Sequence, residues 1–133
     1  MIPAVTKLTV YNNEDLVGVL QLSANDNSCV FEYASDWLRT GFSLSPLELP
    51  LKAGLHYADA NKFGGNFAVF EDSMPDGYGL YLIDRMLIRK GTSLSQLTHL
   101  QRLGIVGMSG KGAIKYKPFI DLHETKISIV ESE

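Results

Sequence analysis

The chain has 133 residues, 45% of them hydrophobic and 20% charged, and these proportions are typical of a folded globular domain rather than a disordered chain. Its formal net charge of −3 argues against direct nucleic-acid binding, because such a surface needs a basic stripe. The sequence has no run of ~18 apolar residues and no basic, apolar leader at its start, so we expect no membrane span and a cytoplasmic location.

The N-terminal part of the chain predicts three antiparallel strands. Residues 5–11 and 16–22 are rich in apolar side chains, and the polar stretch 12–15 between them has turn chemistry. A second polar stretch precedes a third strand at residues 29–33. In that strand the single cysteine, Cys29, is expected to be a small buried hydrophobe in a reducing compartment. Strict alternation predicts that one face of the second strand carries Leu16, Gly18, Leu20 and Leu22.

The next segment predicts a short helical turn and then extended or irregular backbone. Ser35 is expected to cap a turn at residues 34–38, in which Trp37 is a partly buried anchor. Residues 43–51 contain two prolines, which exclude a central strand and favour an edge strand or a polyproline-like passage. Residues 53–65 are mostly polar and predict the longest loop.

Two helices are predicted on either side of a tight corner. Asn66 is expected to cap a short helix over residues 67–74. A second, amphipathic helix begins near residues 79–80, with Asp76 close enough to cap it, and ends at Gly91 in a left-handed conformation. Its apolar stripe is expected to face the core and comprises Leu80, Ile83 and Leu87, widened by Leu82 and Met86.

The remainder of the chain predicts a third helix and further strands. Ser93 and Gln96 have the capping-box spacing, and a leucine-rich helix follows in which Gly104 is expected to be the end. Residues 113–117 return to strand alternation after a glycine-rich, flexible stretch. Residues 125–130 are expected to form a last strand before an acidic tail.

The order of strands, then helices, then a strand predicts an α+β fold rather than a doubly wound sheet. We expect a single domain over residues 1–133, with its core at about 4–118 and an extra strand and acidic tail at 119–133. No internal repeat or low-complexity tract suggests a second domain.

No motif in the sequence predicts a catalytic, cofactor or metal site. The three histidines, none of them in a metal-ligand spacing, are His56, His99 and His123. The glycine-rich stretch 105–112 lacks the first glycine and the final hydroxyl of a phosphate-binding loop. Asp72 and Asp76 lie close in sequence, but helix capping explains them better than acid–base chemistry does. We therefore predict that the protein is not an enzyme and needs no cofactor.

The corner between the two predicted helices, together with the order of other motifs along the chain, resembles a known family. Residues 70–77, FEDSMPDG, resemble the signature F-x-N-L-L-P-D-G in the N-terminal subdomain of HipA-like serine/threonine kinases, the toxins of bacterial HipA/HipB modules. The chain departs from it at Asp72, where the family has asparagine, and at Ser73 and Met74, where it has two leucines. Four further motifs resemble the family in the same order, three before this corner and one after it. V-G-x-L is similar to residues 17–20, F-x-Y-x-x-x-W-L to 31–38, and P-L-S-L-S-L-P-L to 43–51, where Glu48 is a polar departure. L-x-x-I-G-x-D-x-x-G-A-L is similar to 103–114, where Ser109 stands in place of the acid.

The resemblance implies both a fold and a role. In that family the subdomain is a compact β-rich unit that packs against the kinase core and holds no ATP-binding or catalytic residue, so we expect a small antiparallel, barrel-like sheet with two or three helices. In tripartite modules the subdomain is a separate small protein, HipS-like, that binds and restrains the kinase as its antitoxin. We expect this chain to be such a partner of a separately encoded HipA-like kinase core, with a HipB-like DNA-binding protein as a further component, in bacterial persistence.

The corner between the two central helices is the candidate partner-binding site. It comprises Asp72, Met74, Pro75, Asp76 and Gly77. A purely structural role, in which Pro75 and Asp76 set the angle between the helices, competes with a role at an interface, where the methionine would supply a flexible apolar contact.

Two other functions remain open. The chain would show the same resemblance if it were the N-terminal piece of a longer HipA-like kinase. A small-molecule-binding module that uses the loop 53–65 is the alternative from a different class. The sequence decides neither the sign of the regulation nor the substrate of the kinase.

Overall fold

The computed structural model of the chain describes residues 2, 4–23, 28–75, 77–106, 113–120 and 122. Its strands are β1 (Lys7–Asn12), β2 (Asp15–Leu22), β3 (Cys29–Tyr33), β4 (Leu55–Tyr57) and β5 (Ile114–Lys117). Its helices are α1 (Ser35–Thr40), α2 (Ala68–Glu71), α3 (Gly77–Arg89) and α4 (His99–Val106), with two 3-10 turns at Phe63–Gly65 and Leu94–Gln96.

The strands form one antiparallel sheet in the order β4-β3-β2-β1-β5, so β4 and β5 lie at its two edges. The predicted α+β class with a small antiparallel sheet is confirmed. The sheet is open rather than closed into a barrel, and the described residues contain four α-helices where two or three were expected.

A β-bulge in the first hairpin changes which side chains of β2 face the core. Gly18 and Leu16 lie opposite consecutive residues of β1, so Val17 is the extra residue. Val17 is 0% exposed and Leu16 is 44% exposed, although strict alternation put Leu16 on the same face as the buried Leu20. The prediction was wrong at Leu16 because an inserted residue reverses the alternation on one side of it.

Aromatic rings connect the sheet to the helices in the core. The ring of Phe70 in α2 lies 5.4 Å from Phe31 in β3, 5.8 Å from Phe67 and 6.1 Å from Tyr116 in β5. Such pairs contribute about 0.5–1.5 kcal/mol each beyond the area that they bury. Tertiary packing therefore holds α2, which is too short to be stable by itself. The fully buried aliphatic residues include Leu8, Val10, Val17, Leu20, Leu49, Leu87 and Leu100.

The passage at residues 43–51 folds as a compact turn. Ser45 and Leu49 form an isolated antiparallel bridge, with Leu49 fully buried and Leu47, at the tip, 95% exposed. The hydroxyl of Tyr33 donates a 2.6 Å hydrogen bond to the carbonyl of Leu49 and fixes the turn to β3. The predicted edge strand or polyproline-like passage was therefore wrong. In an extended strand Leu47 and Leu49 would lie on one face, but here the turn exposes Leu47 and buries Leu49.

The predicted long loop at 53–65 contains the edge strand β4 and the first 3-10 turn. His56 of β4 lies opposite Phe31 of β3. A three-residue strand is too short for hydrophobic alternation to reveal, so the prediction missed it. At the end of this segment Phe63 has a φ of 52°, an uncommon left-handed conformation for a bulky residue.

The cap before α4 is formed by other residues than those predicted. Ser93 is the N-cap residue of the second 3-10 turn and makes no side-chain cap, and Gln96 is the last residue of that turn. The two reciprocal bonds of a capping box join Thr98 and Gln101 instead. The N–H of Thr98 donates to Oε1 of Gln101 at 2.9 Å, and the N–H of Gln101 donates to Oγ1 of Thr98 at 3.1 Å. This Thr-x-x-Gln spacing was present in the sequence and was overlooked.

Three other helix signals have different roles from those predicted. Ser35 is the first residue of α1 rather than its cap. Asn66 accepts a 2.8 Å bond from the N–H of Phe67, which is itself the N-cap residue of α2. Gly104 lies inside α4 and does not end it; a Cβ there would lie 3.2 Å from Cδ1 of Ile120, so the glycine permits close approach of the C-terminal segment.

The strand predicted at 113–117 is confirmed as β5. The strand predicted at 125–130 and the glycine-rich residues 107–112 lie outside the described residues. In the part of the chain that is described, no helix combines the length and the apolar composition needed to cross a bilayer.

Candidate partner-binding site

The corner between α2 and α3 carries the five residues predicted to bind a partner. Asp72 is exposed, and its backbone N–H closes the last turn of α2. Met74 and Pro75 are half-buried, with Met74 packed against the core. Gly77 is exposed and begins α3 slightly earlier than predicted, and Asp76 lies outside the described residues. Among the described residues of the corner, Asp72 has an exposed side chain, and Met74 and Pro75 expose part of theirs.

A buried hydrogen bond that was not predicted holds this corner to the sheet. The hydroxyls of Ser73 and Tyr116 lie 2.7 Å apart, and the two residues are 4% and 0% exposed. Burial also raises the pKa of Tyr116 above its ordinary value. Ser73, which stands where the signature that the corner resembles has leucine, thus has a polar partner on β5.

One face of α3 packs on the body of the domain. Leu87 is fully buried at its centre. Its half-buried neighbours on the same face are Leu80, Ile83 and Met86. Asp84 accepts a 3.0 Å hydrogen bond from the N–H of Leu94 and so connects α3 to the second 3-10 turn. The predicted core stripe is therefore fully buried at Leu87 and half-buried at Leu80, Ile83 and Met86, which precede it.

The end of α3 has the geometry that the sequence predicted. Gly91 has a φ of 87°, in the left-handed region. Its N–H donates to the Ile88 carbonyl at 3.0 Å, and the N–H of Thr92 donates to the Leu87 carbonyl at 3.0 Å. These two bonds define a Schellman motif, which satisfies the last carbonyls of the helix.

The opposite face of α3 is exposed and partly apolar. We call the outer face the five residues Tyr81, Leu82, Arg85, Ile88 and Arg89. Tyr81, Leu82 and Ile88 are 53%, 44% and 58% exposed. The guanidinium of Arg85 donates a 2.8 Å hydrogen bond to the hydroxyl of Tyr81 and lies 5.7 Å from the centroid of its ring. The prediction that Leu82 widens the core stripe was wrong, since Leu82 lies away from the buried face.

A polar cluster beside α2 was also not predicted. Glu71 accepts a 2.9 Å hydrogen bond from the amide of Asn66. Nε2 of His99 donates to the carbonyl of Gly64 at 2.8 Å, which places a proton on that nitrogen. Nδ1 of His99 lies 2.7 Å from the guanidinium of Arg102 and 3.5 Å from the carboxylate of Glu71. A guanidinium can only donate, so Nδ1 of His99 accepts the 2.7 Å hydrogen bond from Arg102.

The groups around Glu71 hold its pKa below the ordinary value. The contact with His99 has the largest effect, the amide of Asn66 and the positive charge of Arg102 act in the same direction, and burial opposes them. The cluster joins α2, α4 and the Gly64 segment through bonds within the domain.

Within the described residues, the side chains that commonly bind metals are not clustered, and the single cysteine is buried. Among them, no three His, Cys, Asp or Glu side chains lie close enough together to hold a metal ion. Burial raises the pKa of Cys29 to about 12, so its thiol stays protonated at neutral pH and is a poor nucleophile. The expectation that Cys29 is a buried hydrophobe is confirmed.

Two surface cavities lie away from the corner. One of ≈ 530 Å³ lies between the first hairpin and α1, beside Trp37 and Phe42. Trp37 is 6% exposed, and its Nε1 donates to the carbonyl of Phe42 at 2.9 Å, so it is the predicted anchor. A second cavity of ≈ 430 Å³ lies at the start of α4, and the segment 53–65 contributes Gly64 alone to its lining.

The chain has matches among known families and structures. Residues 8–117 match the family model described as HipA N-terminal domain. The fold is similar to a chain in the solved Shewanella oneidensis MR-1 toxin–antitoxin complex of HipA, HipB and operator DNA, with a TM-score of 0.53 at 21% sequence identity. That match covers 93% of this chain and 29% of the other, and at this identity it shows the fold alone. No significant match is found among curated proteins.

Proposed function

The chain belongs to the HipA N-terminal domain family, and we propose that it is a non-catalytic partner that binds and restrains a separately encoded HipA-like kinase. The observation that carries the proposal is the family match over residues 8–117. In the similar solved structure this fold is 29% of a longer chain, within a toxin–antitoxin complex. In a longer chain, such a domain contacts the remaining domains through part of its surface. A separately encoded copy would use the same surface to bind a separate kinase.

Two features support a role without catalysis. Glu71 bonds the amide of Asn66, His99 bonds the carbonyl of Gly64, and Arg102 bonds His99, in a network beside α2 and α4. The thiol of Cys29 is buried, with its pKa raised to about 12. The hydrogen bonds of the first three groups contribute to the fold, and the protonated thiol of Cys29 is a poor nucleophile.

The proposed setting is the cytoplasm of a bacterium, in a toxin–antitoxin module that includes a HipB-like DNA-binding protein. The net charge of −3 gives this chain no general affinity for DNA, so contact with an operator would be made by that third component. The kinase core would be the direct partner of this chain.

Co-expression tests the proposal. The full chain is produced with a tagged HipA-like kinase encoded beside it, and the kinase is purified and assayed alone and in the complex. We expect a complex at micromolar concentration and slower phosphorylation by the kinase within it. Absence of binding would reject the partner, and binding with unchanged kinase activity would reject the restraint.

In an alternative form of the proposal, this domain and the kinase belong to one polypeptide. If the reading frame continues into a kinase, the same surface would meet the kinase core within a single polypeptide. The order of genes around the coding sequence and the mass of the native product distinguish these two arrangements.

Small-molecule binding is the second candidate, and the cavity beside Gly64 and Arg102 is the observation that favours it. Its volume of ≈ 430 Å³ is within the range of ligand sites. Its lining is mostly polar, with Leu97 the one aliphatic side chain, whereas ligand sites are mostly apolar. Native mass spectrometry of the purified chain would detect a retained ligand.

A further inference from the structure

Helix α3 carries apolar side chains on more sides than its packing in the domain uses. Of the side chains that the structure describes in α3, Leu87 alone is fully buried. A helix that is apolar around most of its circumference is normally buried around most of it. Tyr81, Leu82 and Ile88 instead expose 53%, 44% and 58% of their surface. The unburied apolar area requires an explanation outside the described residues of this domain.

The exposed residues of α3 form one continuous surface. At 3.6 residues per turn, the five residues of the outer face fall within about 120° of arc, centred about 160° away from Leu87. Tyr81, Arg85 and Ile88 have the spacing i, i+4, i+7 and line up along the helix. The bond from Arg85 to the Tyr81 hydroxyl holds both side chains in place before any partner arrives. Tyrosine and arginine are the residue types enriched where interfaces derive most of their binding energy.

The charges on this surface have one sign. Arg85 and Arg89 are exposed, and Lys90 follows at the end of the helix. The acidic residue of the helix, Asp84, bonds the backbone of Leu94 in the body of the domain. In a chain whose net charge is −3, the outer face is therefore a local positive area around apolar side chains. A complementary surface presents carboxylates around an apolar patch.

We propose that the outer face of α3 is the surface on which the HipA-like kinase core docks, through an apolar patch bordered by carboxylates. This inference rests on the proposed function and specifies its site. It places the centre of the interface on α3 rather than on the corner that precedes α3. Asp72 and Met74, which precede α3, then lie at the edge of the interface, where substitutions have smaller effects.

Matched pairs of variants test the docking surface. Arg85→Glu and Leu82→Glu are each expected to weaken binding of the kinase at least about tenfold, measured by calorimetry on the full chain. The controls are Arg39→Glu and Leu47→Glu, which should change the affinity less than about twofold. Arg39 is an exposed arginine on α1 that contacts Asp36 of its own helix, and Leu47 is 95% exposed at the tip of a turn. Each variant is first shown to have the thermal transition of the wild type.

The outcomes separate this inference from the proposed function. Loss of affinity in the α3 variants with intact controls supports the docking surface. Kinase binding that all four variants retain overturns the docking surface and leaves the proposed function standing. A wild-type chain that does not bind the kinase overturns both. Light scattering of the chain alone supplies one more outcome: a dimer that Leu82→Glu dissociates would identify a second copy as the occupant, against the proposal.

Discussion

The carboxylate of Glu48 accepts a 2.8 Å hydrogen bond from the backbone N–H of Ala68, which lies 20 positions further along the chain. Ala68 is the first residue of α2, and the opening N–H groups of a helix have no partner within it. Phe67, the N-cap residue, supplies no side-chain cap. Glu48 is therefore a cap provided by the tertiary structure, and its negative charge suits the N-terminal end of a helix.

Removing this cap should destabilise the domain. Glu48→Ala is expected to lower the free energy of unfolding by about 0.5–2 kcal/mol, the usual cost of a lost N-cap. Glu48→Gln should lower it less, because the amide oxygen still accepts the bond. Urea unfolding measures both, with Leu47→Ala as a control expected within about 0.5 kcal/mol of the wild type. Equal losses from the alanine and glutamine variants would argue against the hydrogen bond.

The buried pair of Ser73 and Tyr116 should show coupling in a double-mutant cycle. Ser73→Ala is expected to cost about 1–3 kcal/mol, because it leaves the hydroxyl of Tyr116 buried without its partner. Adding Tyr116→Phe should recover part of that loss, since no polar atom is then stranded. The measurement is unfolding of both single variants and the double variant. Additive effects would show that the two hydroxyls act independently.

Truncations along α3 should follow the burial of each side chain. Leu87→Ala is expected to cost about 2–5 kcal/mol, because Leu87 is fully buried. Ile83→Ala should cost less, since Ile83 is half-buried, and Arg89→Ala should stay within about 0.5 kcal/mol. Thermal and urea unfolding give the order. An Arg89 variant as damaging as the Leu87 variant would show that the faces of α3 are assigned the wrong way round.

Stability should fall in acid partly through Glu71. The folded structure lowers the pKa of Glu71 from 4.5, so the unfolded chain takes up its proton first as the pH falls. The stabilisation from this carboxylate is present above 4.5 and is lost as the pH falls through the lowered folded value. Glu71→Gln should reduce stability at neutral pH and flatten the decline below 4.5. An unchanged acid decline in urea titrations of that variant would contradict the assignment.

The chain should not bind ATP. Phosphoryl transfer requires a lysine, a catalytic acid and magnesium ligands around the nucleotide, and the sequence lacks the motifs that supply them. Millimolar Mg-ATP should therefore leave the Tm unchanged in a thermal scan. A saturable increase in Tm would contradict a non-catalytic role, because a ligand that binds the folded state raises its stability.

Patterns that act within a few residues predicted the local elements well. The third strand has its predicted bounds at Cys29–Tyr33, and Gly91 ends α3 in the predicted left-handed conformation. Alternation and a left-handed glycine are local properties, so the sequence displays them directly. The prediction was wrong at Leu16, where one bulged residue in β2 reverses the alternation, and at β4, which is too short to show any.

Contacts between distant residues could not be predicted in the same way. Ser73 and Tyr116 are 43 positions apart, and His99 and Gly64 are 35 apart. The side chains of Ser73, Tyr116 and His99 would fit an exposed position equally well, and only the fold gives each its partner. The motif located the candidate corner, but it did not predict the hydrogen bond between Ser73 and Tyr116 that joins the corner to β5.

The sequence by itself determined the α+β class, the family resemblance and the existence of an amphipathic helix that ends at Gly91, because these depend on the order and spacing of neighbouring residues. The spacing also predicted correctly that Leu87 faces the core. Only the tertiary structure decided how far the buried face of α3 extends, because Leu82, predicted to widen it, is 44% exposed. The elements packed against α3 bury Leu87 completely and leave Ile88 58% exposed.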